Sequence, residues 1–232
     1  MIFDNIRVIA FDADDTLWEN EPLFRDAERR WAEVLEDYGT FEELSAKLYA
    51  FEEANMPLLG YGAKAFTISL METAVSLAGK NLDGDMTARI LDAGLGILHN
   101  PCTPMPGVVE TLAAIRESGR YRMILLTKGD LLDQRNKVKR SGLEKYFDMV
   151  EIVPAKTTEE YECICARENI PMEEFLMVGN SFKSDIAPVL ELGGAGIHIP
   201  FRMTWEHEKT EEYEHPRLVK TSRISDILDY LI

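Results

Sequence analysis

The sequence predicts an α/β protein: a doubly wound parallel sheet whose first strand is followed by an inserted all-helical domain. Three observations point there. Arg7 to Ala13 (RVIAFDA) is a short apolar run ending in acids, the pattern of a buried strand whose C-terminal end carries function. From about Glu21 to His99 the apolar residues recur at helical spacing and no strand pattern is found. After Asn100-Pro101 short apolar runs alternate with amphipathic segments, which places the later strands parallel in one sheet.

The elements follow in order. Within the insert, Leu23, Ala27, Trp31, Val34 and Leu35 mark one helical stripe, and Leu44 to Phe51, Phe66 to Leu77 and Ile90 to Leu98 mark three more. Helices are then expected near Val108 to Glu117, Leu131 to Ser141, Glu159 to Glu168, Ile186 to Leu192 and Ile224 to Leu231. Strands are expected at Arg122 to Thr127, Met149 to Val153, Phe175 to Val178 and Ala195 to Ile199. The acidic stretch Glu206 to Glu214 offers no apolar face and reads as a solvated loop. This divides the chain into a sheet domain (residues 1–17 and 101–232) and a helical insert (18–100). An insert leaving the C-terminal end of the first strand is expected to cover the ligand site of such a sheet.

Bulk properties narrow the function. The chain has 232 residues, 46% hydrophobic, enough for one sizeable core or a core with a small inserted domain. A formal charge of -16 repels phosphate backbones and argues against nucleic-acid or anionic-membrane partners. No apolar stretch has the length of a membrane span, and Met1 to Arg7 lacks signal-peptide character; the expected compartment is the cytoplasm. Cys102, Cys163 and Cys165 form neither a disulfide framework nor a zinc motif, and the last two read as helix packing. His198, His207 and His215 have no partner at metal-ligand spacing and read as structural or exposed.

Four segments carry chemistry, each at the C-terminal end of an expected strand: Phe11-Asp12-Ala13-Asp14-Asp15-Thr16, Leu125 to Gly129, Pro154 to Thr157, and Val178 to Asp185. Extended geometry points Asp12 and Asp14 to the same side. An Asp pair at a strand end can also be a turn or a helix cap, and Asp15 is read as one of these. Taken singly, Thr127 could cap the next helix and Lys156 could be a solvated lysine. A carboxylate such as Asp12 can attack phosphorus, and a second one two residues on can protonate a departing alkoxide.

Strand-DxDxT, strand-Thr, a lone Lys and a final G(D/N)xxxxxD resemble the four motifs of the haloacid dehalogenase superfamily, with a Rossmann-like core, and the insert resembles that superfamily's helical C1 cap, as in phosphoglycolate phosphatase-like members. The resemblance implies a magnesium-dependent phosphohydrolase acting on a small phosphorylated metabolite through an aspartyl phosphate. It makes Asp12 the nucleophile, Asp14 the acid and base, and Thr127 and Lys156 the phosphate-binding pair. Asp12, Asp14, Asp185 and Asn180 become the metal-binding set. Asn180 stands where many relatives have Asp, so either Asn180 or Asp185 could be the third direct ligand. Lys156 is followed by Thr157 where proline is often found. Gly60 and Gly62 flank Tyr61 in a loop that would let its ring move; Tyr61 and Lys64 are candidates for substrate selection, although cap packing explains Tyr61 equally well. Lys128 is either solvent-exposed or a contact behind the phosphate site, and in the second case is a third candidate for substrate selection.

Three rival functions are weighed. A 2-haloacid dehalogenase uses the same nucleophile on carbon but needs no acid at Asp14, and a phosphomutase shares the motifs. A receiver-type phospho-Asp switch is a non-enzymatic reading, but it lacks both the Asp-x-Asp spacing and the insert.

Overall fold

The computed structural model describes residues 3–232. In chain order the elements are β1 (Val8–Phe11), α1 (Glu21–Val34), α2 (Phe41–Leu59), α3 (Ala63–Ala78), α4 (Gly84–Gly96), α5 (Val108–Ser118), β2 (Arg122–Lys128) and α6 (Leu131–Ser141). They continue with β3 (Met149–Val153), α7 (Thr158–Arg167), β4 (Phe175–Gly179), α8 (Ala187–Glu191), β5 (Ala195–His198), β6 (Leu218–Lys220) and α9 (Leu228–Leu231). The chain forms two compact units, one running to Glu21 and resuming at Cys102–Ile232, the other Pro22–Pro101.

The first unit is built on a six-stranded sheet in the order β3-β2-β1-β4-β5-β6, parallel throughout. The strands are continuous hydrophobic runs because both faces are covered. Side chains alternate across the sheet: Ile9 and Phe11 join Leu112, Ile115, Val138 and Leu231 on one face, while Val8 and Ala10 join Tyr161, Ile164 and Val189 on the other. Strand β1 is central and fully buried, so its C-terminal end emerges between β2 and β4, where the strand order reverses. That reversal is the usual ligand position of such sheets.

The second unit is helical. Thr40 opens α2 with a reciprocal capping box to Glu43, and the Asp83 side chain opens α4 by accepting from Met86 N, each filling donors that the first turn leaves unpaired. Trp31, Leu35, Leu44, Leu48, Leu70 and Ile90 form its core.

Four details differ from the sequence-based expectation. A sixth strand, β6, extends the sheet past β5; with three half-buried to exposed residues it carries too little apolar pattern to be seen in advance. The segment before α8 is a π-type turn, Phe182–Ile186. Cys165 is buried but Cys163 is exposed, so only Cys165 packs. The acidic stretch is not uniformly solvated: Glu208, in a short helical turn Glu206–Glu208, is folded inward, with a side chain 13% exposed. Among the described residues no helix is long and apolar enough to cross a membrane.

Candidate active site

The site is assembled from four strand ends. Asp12 directly follows β1, and its N–H still donates to Val178 O across the sheet at 2.9 Å, which fixes the residue's backbone. Its carboxylate is buried: Oδ1 accepts from Lys156 Nζ at 2.6 Å and Oδ2 from Thr16 Oγ1 at 2.8 Å. Lys156 arrives from the loop after β3 and donates equally to Asp185 Oδ1 at 2.6 Å. Burial pushes the Asp12 carboxyl up to about 7, with the Lys156 charge opposing and the Asp185 charge adding to the rise. Burial alone would lower the Lys156 ammonium, but the Asp12 and Asp185 carboxylates hold it above its ordinary range.

Asp185 reaches this position because of β4's last residue. A Cβ on Gly179 would lie 2.2 Å from Asp185 Oδ2, so only glycine admits the carboxylate. The π-type turn then carries Asp185 back toward the strand end, where Oδ2 accepts from Ser181 N at 3.0 Å. Such turns are frequent at functional sites.

Asp14 behaves differently from Asp12. Its carboxylate turns to α6 and Trp18: Oδ1 accepts from Trp18 Nε1 at 2.7 Å, and Oδ2 from Gln134 Nε2 at 2.8 Å and Lys137 Nζ at 2.9 Å. The two acids of the DxD segment thus have separate sets of partners, because the chain leaves the strand after Asp12 and the simple alternation of extended backbone stops there. Asp15 takes a positive φ of 63°, tolerable for Asp. Its carboxylate accepts from Asn20 N at 2.8 Å and Glu21 N at 3.0 Å, the expected cap at the start of α1.

Thr127, near the end of β2, is buried, and its Oγ1 accepts from Gln134 Nε2 at 3.2 Å. Asn180 sits between β1 and β5: its N–H donates to Thr16 Oγ1 at 3.0 Å, and its carbonyl pairs with His198 Nε2 at 3.0 Å. Its side-chain amide faces Thr16 Oγ1, Asp12 Oδ2 and the Asp14 carbonyl, each at 3.2 Å when the nitrogen is turned to them. Lys128 is engaged by its neighbours, pairing with Glu208 and donating to Ser184 Oγ at 2.9 Å. Glu208 also accepts from the hydroxyls of Ser181 and Ser184. Burial works against the Glu208 charge, yet Lys128 and those hydroxyls hold its carboxyl below the ordinary range. Tyr61 and Lys64 belong to the helical unit, Tyr61 half-buried between Gly60 and Gly62 and Lys64 exposed near the start of α3.

Among the described residues no three His, Cys, Asp or Glu side chains converge as a ready metal cage. What converges is a mixed set: Asp12 Oδ2, the Asp14 main-chain oxygen and the Asn180 side-chain amide, whose oxygen rather than its nitrogen would have to face the ion. Those hard oxygens, completed by water, suit magnesium, which binds through few protein ligands and keeps several waters. Beside that set, the Asp14 carboxylate is turned to α6 and Trp18, and Asp185 Oδ1 and Oδ2 accept from Lys156 Nζ and Ser181 N.

Sequence reasoning missed Gln134, Lys137 and Glu208, and gave no role of their own to Thr16 and Ser184 within the segments it singled out. A signal existed for the first two: Gln134, Lys137 and Ser141 fall on one stripe of α6 and are buried, but polar residues at helical spacing are ordinarily read as a solvent face.

A doubly wound sheet with a buried carboxylate–lysine centre at the topological switch point defines an α/β enzyme, and comparison with known proteins gives its kind. A family model for haloacid dehalogenase-like hydrolases matches residues 6–193. A solved haloacid dehalogenase-like family hydrolase from Xanthomonas campestris is 34% identical and superposes with a TM-score of 0.87 over 98% of this chain and 92% of that one. Glyceraldehyde 3-phosphate phosphatase of Methanocaldococcus jannaschii is 25% identical across 97% of this chain and 98% of its own. A pyrimidine 5'-nucleotidase of Escherichia coli is 28% identical across 80% and 82%. The chain belongs to the haloacid dehalogenase-like hydrolase family and is an enzyme.

Proposed function

We propose that this enzyme is a magnesium-dependent phosphatase that removes phosphate from a small phosphorylated metabolite through an aspartyl phosphate on Asp12. The observation that carries the reading is the Lys156 ammonium, 2.6 Å from both Asp12 and Asp185, which keeps a buried carboxylate fixed at the end of the central strand. The phosphate esters named for the relatives above support the substrate class. Asp14, the second acid of the DxD segment, favours phosphate over halide, since an alkoxide leaving group needs a proton and a halide does not.

In the first half-reaction an Asp12 oxygen attacks phosphorus, a P–O bond to Asp12 forms, the ester P–O bond breaks, and the departing oxygen takes a proton from the Asp14 carboxyl. In the second, the Asp14 carboxylate removes a proton from water, which attacks the same phosphorus and returns the Asp12 carboxylate with inorganic phosphate. Thr127 and Lys156 would hold phosphoryl oxygens and offset charge that grows in the transition state. Asp12, Asp14 through its carbonyl, and Asn180 or Asp185 would hold a magnesium ion, which when bound offsets repulsion between the carboxylates and the phosphate dianion. We assign residues 18–100 the role of a cap that governs substrate choice, with Tyr61 and Lys64 as its specificity residues.

The test is a panel of triose, sugar and nucleoside phosphates assayed with wild type and Asp12→Asn, in magnesium and in EDTA. Turnover of at least one ester, lost in Asp12→Asn and in chelator, is expected. Asp12→Asn retaining more than a few per cent of activity would overturn the covalent route. Full activity in EDTA would overturn the metal requirement. Exchange of the helical unit Pro22–Pro101 with that of a relative, which leaves Trp18 and Asn20 in place, should change the preferred ester; an unchanged preference would remove the cap from specificity.

A further inference from the structure

The Asp14 carboxylate is held by a neighbour that no motif of the sequence announces. Lys137 lies on α6 with its side chain only 3% exposed. Its ammonium meets both carboxylate oxygens of Asp14, at 3.1 and 2.9 Å, and donates to Asn20 Oδ1 at 2.8 Å. A plain intrahelical ion pair does not account for it, since Asp133, the carboxylate one turn away, is 3.8 Å distant and outside hydrogen-bond range. One turn earlier on the same face, Gln134 Nε2 lies within reach of Asp14 Oδ2, Thr127 Oγ1 and the Lys128 carbonyl, at 2.8, 3.2 and 2.7 Å. Gly129 makes room for it: a Cβ there would lie 3.1 Å from that nitrogen.

We propose that Lys137 is a positioning residue for Asp14: together with Gln134 it sets the plane and place of the carboxylate that moves the leaving group's proton. This rests on the acid–base role given to Asp14 above. Burying an ammonium is costly unless its partners are well placed, and here three directed contacts go to Asp14 and the Asn20 side chain. Oδ1 has two donors, Trp18 and Lys137, and Oδ2 has two, Gln134 and Lys137, so the carboxylate is fixed in place and one of these contacts has to be released when it takes up and hands over a proton. Proton transfer needs its donor within hydrogen-bond reach of the departing oxygen, and α6, rather than the strand end that carries Asp14, decides whether that holds. Gln134 links the same carboxylate to Thr127, so the phosphate-binding hydroxyl and the proton-transfer group are placed by one helix face.

The experiment compares wild type, Lys137→Met, Gln134→Ala and Asp14→Ala on two probes. One is 4-nitrophenyl phosphate, whose leaving group needs little protonation. The other is the alkyl phosphate that wild type turns over fastest in the panel. Lys137→Met should lower kcat on the alkyl ester by about 100-fold, the scale of a general acid's contribution, and on the aryl ester by less than about a tenth of that, with KM little changed. Gln134→Ala, which leaves the buried ion pair in place, should show the same selectivity at smaller size. In an Asp14→Ala background Lys137→Met should no longer alter the alkyl-to-aryl ratio.

Rates are expressed per folded molecule, from thermal unfolding of each variant. Equal losses on both probes in Lys137→Met and Gln134→Ala, beside a selective loss in Asp14→Ala, would overturn the positioning role alone. Should Lys137→Met not fold, Gln134→Ala decides by the same criterion. Equal losses in Asp14→Ala itself would overturn the acid–base reading and this inference with it.

Discussion

Lys156 Nζ stands 2.6 Å from Asp185 Oδ1, and the same nitrogen is as close to Asp12: one buried cation serves two buried carboxylates. Removing it leaves two buried carboxylates facing each other without their shared cation. Lys156→Met should therefore destabilise the fold by about 3–5 kcal/mol, the usual cost of an orphaned buried charge. In an Asp185→Asn background the same substitution should cost clearly less, because one of the two charges is already gone. Urea unfolding of the four proteins in the cycle reads both numbers; additive losses would show that the three groups are not coupled.

Burial pushes the Asp12 carboxyl up to about 7 despite the opposing Lys156 charge, so in the free enzyme a proton competes for the oxygen that a cation would take. Magnesium affinity should rise as pH increases from about 6 to 8, with protons released on binding. Calorimetry in buffers of different ionisation enthalpy measures the release directly. Affinity independent of pH, with no proton exchange, would remove Asp12 from the cation's coordination.

His198, buried in β5, has its charged form disfavoured by burial, although its contacts with the Asn180 carbonyl and Glu212 pull the other way; the net effect lowers its pKa. The unfolded chain then binds a proton that the folded chain refuses. Its contribution is fully present above about 6.5, the ordinary histidine value, and is lost as pH falls toward the folded value. The stability difference between wild type and His198→Gln should accordingly shrink on going from pH 7.5 to pH 5.5. A difference that grows on acidification would mean that the folded protein holds His198 charged.

Glu208 accepts from the hydroxyls of Ser181, just before the π-type turn, and Ser184, within it and next to Asp185. Glu208→Ala removes both acceptor contacts and should cost about 1–3 kcal/mol, with a further fall in activity per folded molecule as Asp185 loses its fixed place. Glu208→Gln keeps an acceptor without the charge and should fall between. Equal behaviour of the two variants would mean that the charge opposite Lys128 is the whole contribution.

How much of this was legible in advance follows from how each residue is placed. The central strand and the four strand-end segments could be read because apolar runs ending in Asp, Thr or Gly put backbone burial and chemistry next to each other in sequence. Asp12, Thr127, Lys156 and Asp185 are of this kind. Lys137 and Gln134 were not found because periodicity treats a polar stripe as solvent-facing, and on α6 that stripe points inward. Glu208 was hidden among neighbours that are exposed; a single residue turning in against Lys128 leaves no trace in composition. The divergence of Asp14 from Asp12 depends on where the backbone leaves the sheet, which alternation alone does not specify.

The Glu208 contact has one more consequence, for how the protein can be cut and recombined. The matched family segment ends at residue 193, and a chimera designed on that boundary would look complete, with every recognised motif inside it. It would nevertheless sever Glu208 from Lys128, Ser181 and Ser184. Tails exchanged between relatives would then differ in more than their surface, because the donor tail must bring its own acid to that nest of donors. Modularity in this enzyme stops short of its last sixth.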